Sequence, residues 1–133
     1  MPRDKDQIKW LSKPEDHDYP AAESYLGLLF GNTIATELVH KLHDEKIVFF
    51  KAKDLFRASR LSMLDESNSH VKKNLKKIEE GKELSPLLIV RDSENSSIII
   101  ADGYHRMCAV YTHDEDILIP CQITTKIKTN ENR

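Results

Sequence analysis

Cysteine is scarce in this chain. Cys108 and Cys121 are the only two, too few for a disulfide framework or a zinc site. Both sit in apolar surroundings, so we expect buried free thiols. Long apolar runs are missing as well, and no stretch could span a bilayer. The N-terminus is polar rather than signal-like, which makes a cytoplasmic protein without membrane association the expectation. An excess of one charge is also lacking. Lys and Arg number 20 against 22 Asp and Glu, a formal net charge of −2. Bulk electrostatics therefore gives no argument for nucleic acid. Internal repeats and low-complexity segments are absent, and 133 residues are the size of one domain with a real core.

What is present is a succession of short periodic segments. Met1 to Tyr19 is polar, with Trp10 and Leu11 as its only strong apolar anchors. From Pro20 a helical pattern runs over Ala21 to Phe30, and Gly31-Asn32 ends it. Thr33 is a candidate cap for a second helix carrying Ile34, Leu38, Val39 and Leu42. Ile47 to Phe50 reads as a strand and Asp54 to Arg57 as a short helix. Ser67 or Ser69 is expected to cap a helix over Val71 to Glu80, stopped by Gly81. Leu87 to Arg91 and Ser97 to Ala101 read as strands joined by a polar turn, and Ile119 to Thr124 as a last strand. The charged tail from Lys126 is expected to fray. This order predicts an α+β fold, a small mixed β-sheet with flanking helices.

The most informative residues are Asp102-Gly-Tyr-His-Arg-Met-Cys-Ala109. They follow the apolar strand Ser97-Ile-Ile-Ile-Ala101 and open a helix that continues over Met107 to Tyr111. A strand that breaks at Gly103 into a helix start offers free amides and a positive dipole end to an anion. Arg106 adds a forked, permanently charged donor, and His105 can donate a hydrogen bond or a proton. Asp102 could hold Mg²⁺ against phosphates or act as a base. The plainer alternatives are a turn at Gly103, a helix cap at Asp102, a polar cap at His105 and a surface ion pair for Arg106. If Arg106 serves a ligand, its removal should abolish anion binding with little loss of stability.

From about Val48 to Thr124 the chain resembles the ParB/sulfiredoxin superfamily. Three blocks carry the resemblance in the family's order. They are Phe49-Phe-Lys-Ala-Lys-Asp-Leu-Phe-Arg-Ala-Ser-Arg60, Ile78-Glu-Glu-Gly-Lys-Glu-Leu-Ser-Pro-Leu-Leu-Ile-Val90 and Ile98-Ile-Ile-Ala-Asp-Gly-Tyr-His-Arg-Met-Cys-Ala109. The last is similar to the family's phosphate motif, and most of all to the D-G-H-H-R of its free-serine kinases. The resemblance implies a ParB/sulfiredoxin-like core over 47–125, an N-terminal polar and helical extension over 1–46, and a tail over 126–133. It implies a nucleoside triphosphate, ATP or CTP with Mg²⁺, or another phosphorylated small molecule as ligand, and NTPase or phosphotransferase chemistry. Gly103, Tyr104, His105 and Arg106 would bind the ligand, and Asp102 and His105 would act in catalysis. Tyr104 stands where sulfiredoxin has its catalytic cysteine, so sulfinic acid repair is not implied. The few residues after Thr124 leave no room for ParB's helix-turn-helix domain. The alternative is a non-catalytic module, or a ParB-like nuclease, that binds DNA phosphate or a protein partner. The near-neutral charge disfavours DNA.

Further candidates lie outside the motif. Arg57 and Arg60 fall where ParB-like domains bring their opening segment to the nucleotide, against a plain solvated helix face. Ser69 and His70 begin a helix, and a histidine there is at ease beside an anion; a Ser cap with a solvent-facing His is the plainer reading. Lys72, Lys73, Lys76 and Lys77 read as a solvated stripe. The run Glu15-Asp-His-Asp-Tyr19 matches no metal-ligand spacing. Glu23 could supply the carboxylate base that the kinases take from a segment before the motif, or simply partner the helix dipole. The helical pair over Ala21 to Asp44 could cover a sheet face, extend the site or build a homodimer interface.

Overall fold

The computed structural model describes residues 7–127; Met1 to Asp6 and most of the tail expected to fray lie outside the described residues. In chain order the elements are β1 (Lys9–Trp10), α1 (Asp18–Phe30), α2 (Asn32–Asp44), β2 (Val48–Lys51), α3 (Ala52–Ser59), α4 (Ser69–Glu79), β3 (Glu83–Leu84), β4 (Leu87–Asp92), β5 (Ser97–Asp102), α5 (Tyr104–His113) and β6 (Leu118–Thr125). The fold is mixed α+β. One sheet has the order β2-β6-β4-β5, and β1 pairs with β3 in a separate two-stranded ribbon. In the larger sheet β4 and β6 are parallel, while β2 with β6 and β4 with β5 are antiparallel.

Alternation along the strands divides the core into two layers. Leu87, Ile89, Ile100, Ile119 and Cys121 face α3, α4 and α5. Leu88, Val90 and Ala101 face the helical pair α1 and α2. Because helices cover both faces, Leu87 to Val90 can be an unbroken apolar run, all four fully buried. The helical pair is therefore part of the packed core, through Leu88, Val90 and Ala101. Its role includes the first of the three expected, covering a sheet face.

Local chemistry shifts several expected boundaries. Gly31, with φ +88°, both ends α1 and precedes α2, so Thr33 caps nothing. Asn68, rather than Ser67 or Ser69, caps α4, its Oδ1 accepting from the amides of His70 and Val71 at 2.9 and 3.1 Å. An Asn at this position is among the best caps. The polar turn between β4 and β5 contains a 3₁₀ turn over Ser93–Asn95. No helix among the described residues is long and apolar enough to cross a membrane, and both cysteines are buried and free. Burial pushes the Cys121 thiol up to about 12.

One buried polar network ties the helical pair to the sheet. Tyr19 donates its hydroxyl to Gln122 Oε1 at 2.6 Å. Gln122 Nε2 donates onward to the carbonyl of Glu45 at 2.8 Å, and the His43 ring stacks on Tyr19 at 3.6 Å. Tyr19→Phe would strand a buried amide oxygen, and we expect it to lower stability by about 1–3 kcal/mol in denaturant unfolding.

Candidate functional site

The motif leaves the sheet through a distorted strand end. Leu88 pairs with Asp102 while Ile89 pairs with Ile100, so Ala101 is an extra residue in the β5 register, a bulge of the sort that re-aims side chains. Gly103 then turns the chain with φ +109°. A Cβ there would stand 2.7 Å from Leu87 Cγ and 2.9 Å from Arg106 Nη2. Glycine is thus required twice, by the backbone angle and by the close approach.

Gly103 brings no side chain to cap α5, and the first intrahelical bond is Met107 N to the Gly103 carbonyl at 2.9 Å. The amides of Tyr104, His105 and Arg106 precede that bond and have no intrahelical acceptor. Asp102 is not the cap that its position suggested. Its Oδ2 accepts from Arg106 Nη2 at 3.1 Å, one turn along the helix. The same nitrogen donates to the Pro86 carbonyl at 3.3 Å. Arg106 Nε is buried with no hydrogen-bond partner, which leaves a charged donor unspent where burial makes that costly.

The partner that sequence reasoning missed is Asp18. It is 3% exposed, and it accepts from the Ser85 hydroxyl and from the amide of Glu15 at 3.0 Å. His17 Nε2 lies 3.4 Å from its other oxygen. Burial pushes the Asp102 pKa up, outweighing the Arg106 guanidinium, and Asp18 pushes it further in the same direction. A signal for Asp18 did exist. Asp18, Ala22 and Leu26 stand four apart and are all buried on one stripe of α1, and Pro20 sits comfortably in a first turn. Extending the helix back past Pro20 puts an acid on the core-facing stripe. Glu23 instead accepts from the Thr36 hydroxyl at 2.9 Å, on the exposed side.

His70 and His105 are brought together. Their rings lie 4.8 Å apart, so the starts of α4 and α5 face each other. Burial, then the neighbouring His70, lowers the His105 pKa. The two starts differ, because Asn68 already occupies two amides of α4. Ser69 is the first residue of that helix but caps nothing. Tyr104 donates its hydroxyl to the Ser62 carbonyl at 2.6 Å, which pins the segment before α4 over the motif. Cys108 beneath it is fully buried, its pKa raised by that burial.

Arg57 and Arg60 do not join this group. Arg57 is 84% exposed and 3.8 Å from Asp54 on its own helix. Arg60 donates to the Ser96 carbonyl at 3.3 Å, at the opposite end of β5 from Asp102. Both follow the solvated-face alternative.

The residues present do not fit a resident Mg²⁺. The one carboxylate that the motif offers is already bonded by a guanidinium, whose charge repels a second cation. No group of three His, Cys, Asp or Glu side chains converges as a metal site among the described residues. No family model, curated protein or solved structure matches the chain.

Two substitutions test this account of the junction. Gly103→Ala should cost about 2 kcal/mol of stability from the left-handed angle alone, more if Leu87 cannot shift, as read by denaturant unfolding. Arg106→Ala should cost about 3 kcal/mol, since it leaves Asp102 against Asp18 without a cation. That outcome would replace the sequence-based expectation that Arg106 could be removed with little effect on the fold.

Proposed function

We propose that this chain is a ParB/sulfiredoxin-like domain that binds a nucleotide (ATP or CTP) or another phosphorylated small molecule at the first turn of α5. The observation that carries the reading is the unspent donor set at that turn. The amides of Tyr104, His105 and Arg106 have no intrahelical acceptor, and the buried Arg106 Nε has no partner. The oxygens of a phosphate group suit such donors, with the helix dipole aligned to favour them. The sequence resemblance over Val48 to Thr124 points the same way.

In this reading each residue has a task. The α5 amides and Arg106 hold the phosphate, and Gly103 keeps the approach open by having no Cβ. His105 meets the anion as a hydrogen-bond donor, and as an imidazolium once an anion raises its depressed pKa. His70 stands across from it, its ring 4.8 Å away. Ser69 takes no part. Transfer or hydrolysis of a phosphoryl group would further need a carboxylate near the acceptor. Asp18, beside Asp102, suits that task better than Glu23.

The test is thermal unfolding with inorganic phosphate, ATP, CTP and GTP. A ligand at about a hundred times its dissociation constant should stabilise the wild type by roughly 2.7 kcal/mol. In His105→Ala the shift should shrink while the ligand-free midpoint moves little. For the wild type, binding should tighten as the pH falls, because the proton that His105 resists in the free protein is taken up with the anion. No stabilisation by any phosphate compound at any pH would turn the reading to a module that docks a protein partner.

A further inference from the structure

We propose that the outer edge of β5 takes up an extended peptide, apolar at alternate residues and acidic at its C-terminal end, as an added strand of the larger sheet. The strand order is β2-β6-β4-β5, so β5 has a strand on one side only. On its other side alternate residues turn their N–H and C=O groups outward. Among the described residues no backbone bond reaches Ser97 to Ala101 from that side. Free edges are commonly blunted by charge or proline. Ser97-Ile-Ile-Ile-Ala101 carries neither, and the bulge comes only at its end, at Ala101. The opposite edge is the shorter β2, which closes on Lys51.

Helices stand beside the β5 edge on both faces of the sheet. Leu29 and Phe30 of α1 and Leu61, just past α3, line a groove of about 290 Å³ over Ser97 to Ile100. Leu29 and Leu61 are 45% and 39% exposed, apolar surface that the side chains of an added strand would cover. A second copy would bring the same two walls with its own β5, wall against wall, whereas a single extended segment brings none. Charge sets the direction of that segment. The groove runs on past Ser97 into a hollow of about 360 Å³, the two sharing Asp92, Ser97 and Ile98. Arg91 lines the hollow and is exposed, and Arg60, solvated in the free chain, reaches the Ser96 carbonyl at 3.3 Å. The acid in this hollow, Asp92, is buried and accepts from Asn95 at 2.8 Å. Nearby, Glu94 is paired with Lys126 at 3.4 Å. Two guanidiniums against one buried carboxylate leave this end cationic. An antiparallel strand, the more stable pairing, has its C-terminal end opposite Ser97. Acidic residues there, and a terminal carboxylate, meet Arg60 and Arg91.

The experiment is fluorescence anisotropy of the whole chain with labelled peptides of about eight residues, alternating valine and threonine and closing on two aspartates. Saturable binding is expected, with amide shifts in the NMR spectrum at Ser97 to Ile100. Closing the peptide on two lysines, or Arg60→Ala in the chain, should weaken binding by about tenfold. N-methylation of alternate peptide amides separates strand addition from plain apolar contact. In one frame it should abolish binding, because those amides face β5; in the other frame binding should change little. The proposal is overturned by no saturable binding, by equal effects in both frames, or by amide shifts confined to other surfaces. A dimer in sedimentation whose β5 amides are already protected from exchange also overturns it, since a second copy would then hold the edge. The donors at the first turn of α5 take no part and no phosphate compound enters the measurement, so a failure to bind phosphate would leave this result standing.

Discussion

The contact between Gly103 and Leu87 is the constraint on which the rest of the site depends. Only a residue without Cβ lets β5 turn against the side chain of Leu87. That turn starts α5 directly at the strand's end, with no room for a capping side chain. The same approach brings Arg106 back over the turn, so its Nη2 reaches both Asp102 and the Pro86 carbonyl. Arg106 is thereby both a strut and a charge. It fixes the helix start to the strand entry and still keeps one buried nitrogen unspent.

Much of the fold was legible from periodicity because the strands are sandwiched. Leu87 to Val90 and Ile98 to Ala101 read as apolar runs since each alternate residue has a helix to pack against. The α1–α2 pair was legible for the same reason, with its buried residues at helical spacing. The ribbon of Lys9–Trp10 with Glu83–Leu84 was not, because two-residue strands carry no period. Caps were harder still. Ser67, Asn68 and Ser69 are all good caps by type, and only the backbone decides that Asn68 accepts the amides.

The candidate site was half legible. The strand–Gly–helix junction was legible in Asp102 to Arg106, because an apolar strand run breaks there at glycine into a helical pattern. The approach of His70 to His105 joins helices 35 residues apart in sequence number, and no local pattern encodes it. For Arg57 and Arg60, position along the chain is a poor guide to proximity in space. The helix α3 lies beside β5, but Arg60, just past its end, reaches Ser96 at the far end of that strand. Asp18 was obscured by its setting, a polar run that reads as loop until the helix is extended past Pro20.

The position of β6 sets the order in which this sheet can be built. The last strand among the described residues lies between β2 and β4, pairing Val48 with Cys121 on one side and Leu87 with the same Cys121 on the other. During synthesis the β4–β5 hairpin can close early, but β2 has no strand partner until residues 118–125 have left the ribosome. Until then the two halves of the larger sheet cannot join, and part of the apolar surface beneath α3, α4 and α5 stays open. Closure of the larger sheet therefore waits on β6, which alone joins β2 to β4.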